Sequence, residues 1–320
     1  MKRLATLTPA VRASLRRVAP ALAVMMTALI ASCEDAPPTA PEASDLETVL
    51  AAPSTGLQGR IAYASARGGS FDIYVADLAT GRARRLTRTK ATDTDPAWSP
   101  DGQKIAFMSR RDGSDAIYVM PATGGTATRI TFERSSQPAW SPDGTKLVVT
   151  SDRFGSSGNS SDIYAINADG TGTGTNITNN AATDWEPAWS PDGSKIAFSS
   201  NRDNSSFDIY LVNADGTGSV TRLTTGGGRY PAWSPDGAKL AFTDASFGID
   251  VMSVSAAGAP GSPTRVASGL HPTWSPDGSR IAYFYAGAGG HDIYAVKLAD
   301  GSVSTVVGSS GVDQAPAWAP

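Results

Sequence analysis

Trp98-Ser99-Pro100-Asp101-Gly102 decides the fold, because it recurs. The same pentapeptide starts again at Trp140, Trp189, Trp233 and Trp274, at steps of 42, 49, 44 and 41 residues, and Trp318-Ala319-Pro320 follows 44 residues later. Self-similarity at this period marks a repeat architecture. The pentapeptide is itself a turn. Pro presets φ at the second position of a type I turn, Asp tolerates the third, and Gly supplies the left-handed residue that a hairpin with a following bulge requires. Asp101, Asp143, Asp192, Asp236 and Asp277 therefore read as turn formers and not as catalytic carboxylates.

Three further segments keep step with the turn. One is an apolar run such as Ile105-Ala106-Phe107 or Leu147-Val148-Val149, the next is of the type Asp208-Ile209-Tyr210, and a weaker third is of the type Arg222-Leu223-Thr224. All are short, β-branched or aromatic, and bounded by Gly, Pro, Asp or Ser, so each unit has four strands. Residues 57 to 320 divide into six units of 44, the length of a four-stranded propeller blade. The first unit has strands two to four with no Trp strand before it, and the last stops after Trp318. Joining the two completes a ring without free edges. The expectation is an all-β, six-bladed β-propeller of four-stranded antiparallel blades, closed by a C-terminal strand joining the N-terminal blade, with the Trp residues packed between blades.

These four motifs together resemble the TolB-like β-propeller repeats of bacterial envelope proteins, over residues 57 to 320. No Trp-Asp dipeptide is present, so the repeats do not resemble WD repeats. TolB carries an additional N-terminal α/β domain that residues 34 to 56 are too short to supply, so the resemblance implies the repeat family and not the Tol–Pal role. Related propellers accompany prolyl-oligopeptidase-like hydrolases and form oligogalacturonate lyases. The first would need a Gly-x-Ser-x-Gly pentapeptide, which is absent, and the second a cluster of metal ligands that His271 and His291 are too few to match.

Residues 1 to 32 read as a signal peptide. Lys2, Arg3, Arg12, Arg16 and Arg17 precede an apolar stretch from Val18 to Ile30, too short for an easy membrane span. Ile30-Ala31-Ser32-Cys33 resembles a lipoprotein processing box, and Cys33 is the only cysteine in the chain. Lipidation at Cys33 is thus expected, and the same resemblance implies that Glu34, which is not the usual Asp signal for inner-membrane retention, tilts the expectation weakly toward the outer membrane. Residues 33 to 56 carry four Pro and no aromatic residue and read as a disordered tether reaching roughly 25–30 Å. Cleavage before Cys33 removes five basic residues and no acidic one, taking the formal charge from −3 to −8. That balance argues against nucleic acid as a partner and leaves the lipid anchor as the membrane contact. One Cys and two His also argue against a Cys- or His-rich metal centre, and no cofactor is implied.

In a propeller the second-to-third and inter-blade loops share a face, and here the variation lies on that face. It includes the insertion from Asp152 to Ser161 and the connections 89–95 and 179–186. The residue before Pro-Ala-Trp, or its equivalent, sits at the channel mouth of each blade. Read round the ring these are Asp95, Gln137, Glu186, Tyr230, His271 and Ala315, the first five able to hydrogen-bond. The expectation is a polar funnel that binds an envelope protein, a peptide or a cell-wall or saccharide fragment without catalysis, in a monomeric protein. The alternative is a carbohydrate-active lyase or hydrolase using Glu186, His271 and Tyr230. Arg67, Arg111, Arg153 and Arg202 follow the second strand in four units and are expected to pair with loop carboxylates or with the Asp before strand three. Asn167-Ala168-Asp169-Gly170 and Asn213-Ala214-Asp215-Gly216 read as hairpin turns, since neither has the later Glu of a calcium loop.

Overall fold

The protein is described by a computed structural model over residues 46–48, 57–152, 160–203, 206–287, 290–308 and 311–320. Among these residues all regular structure is strand, arranged in six antiparallel sheets. Blade I is closed as expected: Asp313–Trp318 is its innermost strand, beside Arg60–Ser65, with Ile61 opposite Trp318. Asp72–Asp77 and Arg82–Arg85 follow outward. Blades II to VI begin with the inner strands Asp93–Trp98, Ser135–Trp140, Asp184–Trp189, Arg229–Trp233 and Leu270–Trp274, each continuing outward in chain order.

The tether expectation needs one correction. Leu46–Thr48 forms a fifth, outermost strand of blade I, antiparallel to Arg82–Arg85 with Leu46 opposite Arg84. Main-chain pairing onto a sheet edge does not depend on apolar composition, so a reading by composition misses it. Residues 1 to 45, including the signal sequence and Cys33, and residues 49 to 56 lie outside the described residues.

The second strands are buried on both sides because each blade is sandwiched between two others. In Lys104–Ser109 every residue after Lys104 is buried, which explains a continuous apolar run where a one-faced strand would alternate. Large side chains point back and small ones forward. Ile105 and Phe107 of blade II pack on Ala62 and Ala64 of blade I, while Ala106 of blade II receives Leu147 and Val149 of blade III. The pattern repeats at Ala197 against Leu240 and Phe242, at Ala241 against Ile281 and Tyr283, and across the closure at Ala282 against Ile61 and Tyr63. Each buried Ile or Phe contributes roughly 1.5–3 kcal/mol, and the alanines let neighbouring sheets approach at native packing density.

The tryptophans are inter-blade fasteners. Nε1 of Trp98, Trp140 and Trp274 donates to the carbonyls of Ala317, Ala97 and Ala232 in a preceding blade, at 3.0–3.1 Å. Trp318 donates to Gln58 at 3.3 Å, whereas Nε1 of Trp189 and of Trp233 is buried without a partner. The turns have the expected form. Gly102 has φ 66° and its N–H donates to the Ser99 carbonyl at 2.8 Å. The Asp101 carboxylate accepts from Ser99 Oγ at 2.5 Å and from the Gln103 N–H at 3.0 Å, bonds that hold its pKa below the usual carboxylate range. Asp169 and Asp215 likewise close hairpin turns, each accepting from the N–H and hydroxyl of the Thr two residues on.

Candidate functional site at the channel mouth

Every inner strand carries a β-bulge where its sequence reads Xaa-Pro. The register shifts between Thr94 and Ala97, between Trp185 and Ala188, between Arg229 and Ala232 and between Leu270 and Thr273, and shifts at the equivalent places in the other two blades. A bulge re-aims a side chain. Eight described non-glycine residues have positive φ, and six of them are these Xaa positions: Asp95, Gln137, Glu186, Tyr230, His271 and Ala315, all between 50° and 59°. Left-handed backbone costs a non-glycine residue about 1–2 kcal/mol, so the chain keeps a side chain at six places where glycine would be less strained.

Those six residues and the prolines that follow them line one cavity of about 170 Å³. The sequence-derived ring is thus assembled as a ring, but its members are not equivalent. Glu186 is 5% exposed and its carboxylate is engaged by chain neighbours. It accepts from Ser199 Oγ at 2.7 Å, from the Tyr230 N–H at 2.8 Å and from the Arg229 guanidinium, which closes on both its oxygens. Glu186 therefore latches blade IV to blade V. Arg229 lies over the rings of Trp185, Phe207 and Tyr230 at 4.9–5.2 Å, and Trp185 stacks on Phe207.

Tyr230 and His271 form a neutral wall, with ring centroids 3.5 Å apart and Phe284 edge-on to the imidazole. Burial, assisted by the Arg229 charge, brings the His271 pKa down to about 3. Burial and the nearby Glu186 push the Tyr230 phenol up. Gln137 Oε1 accepts from Thr150 Oγ1 at 2.9 Å and from the Glu186 N–H at 3.2 Å, which ties blade III to blade IV. Asp95 differs from all of these. Among the described residues its carboxylate has one hydrogen bond, from Thr94 Oγ1 at 3.3 Å, and no ion pair. Burial is the main cause that raises its pKa to about 6, and the Glu186 and Asp115 carboxylates add to it.

The arginine series is structural, and of the two expected kinds of partner it takes carboxylates of the inter-blade connections and not the Asp before strand three. Arg67, Arg111 and Arg202 donate to Asp313, Asp93 and Asp184, the first residues of the inner strands, at 3.1 Å. They also lie over the aromatic pairs of strands two and three, as Arg111 does over Phe107 and Tyr118. The Asp before strand three goes instead to the fourth strand, Asp72 to Arg85 and Asp208 to Arg222. Arg153 and most of the insertion around it lie outside the described residues. The reading of the sequence missed Arg229; its signal was a basic residue directly before Tyr230, one unit after the acidic Glu186. Among the described residues no three His, Cys, Asp or Glu side chains come together as a metal-binding group.

Comparison with known proteins agrees with this geometry. A family model for the Tricorn protease N-terminal beta propeller domain matches residues 61–176. The Tol-Pal system protein TolB of Francisella tularensis is 42% identical over 57 residues, which is 18% of this chain and 13% of that protein, so the chain matches a small part of such relatives. The crystal structure of TolB from Acinetobacter baumannii superposes with a TM-score of 0.71 at 25% identity, over 82% of this chain and 67% of that one. An oligogalacturonate lyase in complex with manganese superposes at 0.54 and 19% identity, over 78% of this chain and 74% of that one, a likeness of fold alone. The model for the TolB beta propeller domain matches residues 133–320, more than half the sequence, and the chain belongs to that family.

Proposed function

We propose that the protein is a non-catalytic binding propeller of the bacterial envelope, lipid-anchored at Cys33, whose mouth docks a segment of another envelope protein, a peptide or a cell-wall fragment. The observation that carries this reading is the ring of strained left-handed residues, which keeps five polar or aromatic side chains around one cavity at a cost that folding alone does not require. Membership of the TolB propeller family supports an envelope-protein partner. The acid–base alternative, which draws on Glu186, His271 and Tyr230, is poorly served by those three residues. A general base works best with a pKa near the operating pH, whereas His271 is held near 3, the Tyr230 phenol is pushed up, and Glu186 is neutralised by Arg229.

The test is cross-linking and affinity capture of the full-length lipoprotein from its own envelope, beside a variant carrying Asp95→Ala and Gln137→Ala. A partner enriched by the wild type and lost from the variant is the expected result. Equal capture by both proteins would remove the mouth as the docking place, and a Cys33→Ala protein that stays in the membrane fraction would remove the anchor.

A further inference from the structure

The charges of the mouth do not cancel. Glu186 and Arg229 compensate each other, and Asp115, the other carboxylate acting on Asp95, is paired with Arg110 and Arg134. His271 is neutral at physiological pH, and Gln137, Tyr230 and Ala315 carry no charge there. One charge is left over, on Asp95, half-buried at the side of a small cavity, with a single long hydrogen bond to its neighbour's hydroxyl. The six prolines lining that cavity supply no N–H donors, and the side-chain donors that remain, on Gln137, Tyr230 and His271, are neutral, so the wall sets no uncompensated positive charge against an anion. We infer that the mouth is a site for an organic cation, an alkylammonium group such as that of a lysine side chain or a free amine, with Asp95 as its counter-ion.

The cavity favours an ammonium over a bare metal ion. A hard divalent cation needs six or more oxygen ligands, several of them charged, and a single carboxylate with a neutral aromatic wall does not provide them. An ammonium needs one strong acceptor and a lining for its apolar stem, and here the stem would lie along the proline rings. The raised pKa of Asp95 fits the same picture, since it reflects a carboxylate desolvated without a cation, and bringing one in would lower it. This assignment rests on the mouth being a binding site and names the class of group it takes.

The experiment uses n-butylammonium as the probe, with n-butanol and n-butyrate as its neutral and anionic counterparts, titrated into the full chain and followed by backbone amide NMR. Saturable shifts at Thr94 and Gln137 with butylammonium alone are expected. Affinity should fall about tenfold or more in Asp95→Asn, a change that keeps the side chain's shape and suits left-handed backbone. In the wild type, binding should also weaken as pH falls below about 6. Equal shifts with butanol, an unchanged affinity in Asp95→Asn, or no saturable shift would each overturn the assignment. Butylammonium failing while partner capture survives would overturn this inference and leave the docking role; capture failing while butylammonium binds would do the reverse. Acetylating the lysines of a captured partner, which removes their charge, then separates a side-chain ammonium from a free amine.

Discussion

Each inner strand has two ends, and they obey different rules. At the Trp end, the strands run into five copies of one turn, with glycine supplying the positive φ every time, and open onto a cavity of about 590 Å³ lined chiefly by Trp and Pro. At the other end the backbone repeats just as faithfully, with φ near 50–59° at all six bulges, yet the residue that adopts it is different in every blade. Where a repeat keeps both backbone and side chain, the side chain serves the fold. Where it keeps the backbone and varies the side chain, the fold has become a frame for something else.

The largest effect should come from the conserved end. Trp98 is 7% exposed and joins blade II to the C-terminal strand through Ala317. Trp98→Ala should cost about 3–5 kcal/mol, read as a lower urea midpoint. The mouth has one residue of comparable weight. Glu186→Ala would leave Arg229 half-buried beside an empty space and release Ser199 and the Tyr230 N–H, a loss of about 2–3 kcal/mol. If Glu186→Ala were instead as mild as an exposed substitution, its carboxylate would not be the latch the geometry describes.

A paired exchange probes the backbone rule directly. Gly102→Ala has room for its Cβ, the nearest atoms being 3.5 Å away, so its expected cost of about 1 kcal/mol is left-handed strain alone. Ala315→Gly makes the opposite change at φ 50° and should stabilise by about 0.5–1 kcal/mol. Opposite signs in thermal unfolding would establish that the mouth carries strain that the turns avoid. Equal signs would erase the distinction between the ends.

The fold was legible because its determinants are local and repeated. Ser-Pro-Asp-Gly reads as a turn in isolation, and six apolar runs in step need no long-range information. The position of the ring was legible too, since Xaa-Pro stands three residues before the Trp of each inner strand. Its internal pairing was not. Whether Glu186 faces a ligand or Arg229 depends on a contact 43 residues away and on a bulge that no propensity encodes. The strand Leu46–Thr48 was hidden for a similar reason, because it adds to an edge by its main chain.

An effect as small as the backbone exchange sharpens the comparison most, because it separates Asp95 from the turn aspartates. Asp101 is held below the usual carboxylate range by the hydrogen bonds it accepts, whereas Asp95 is raised to about 6 by desolvation. A carboxyl with an unfolded pKa near 3.9 and a folded value near 6 burdens the folded state when ionised. The burden is absent below about pH 4, grows between 4 and 6, and is complete above 6. Asp95→Asn should therefore be more stable than the wild type at pH 8, by about 1 kcal/mol once the open mouth has screened the charge, and the gain should vanish by pH 4. His271 has the opposite slope, with a folded pKa near 3 that withdraws stability as pH falls below 6.5. It is present in both proteins and cancels in the difference. Paired urea titrations at pH 8 and pH 4 measure that difference. A gain that persisted at pH 4 would assign the effect to packing and remove Asp95 as the open charge of the mouth.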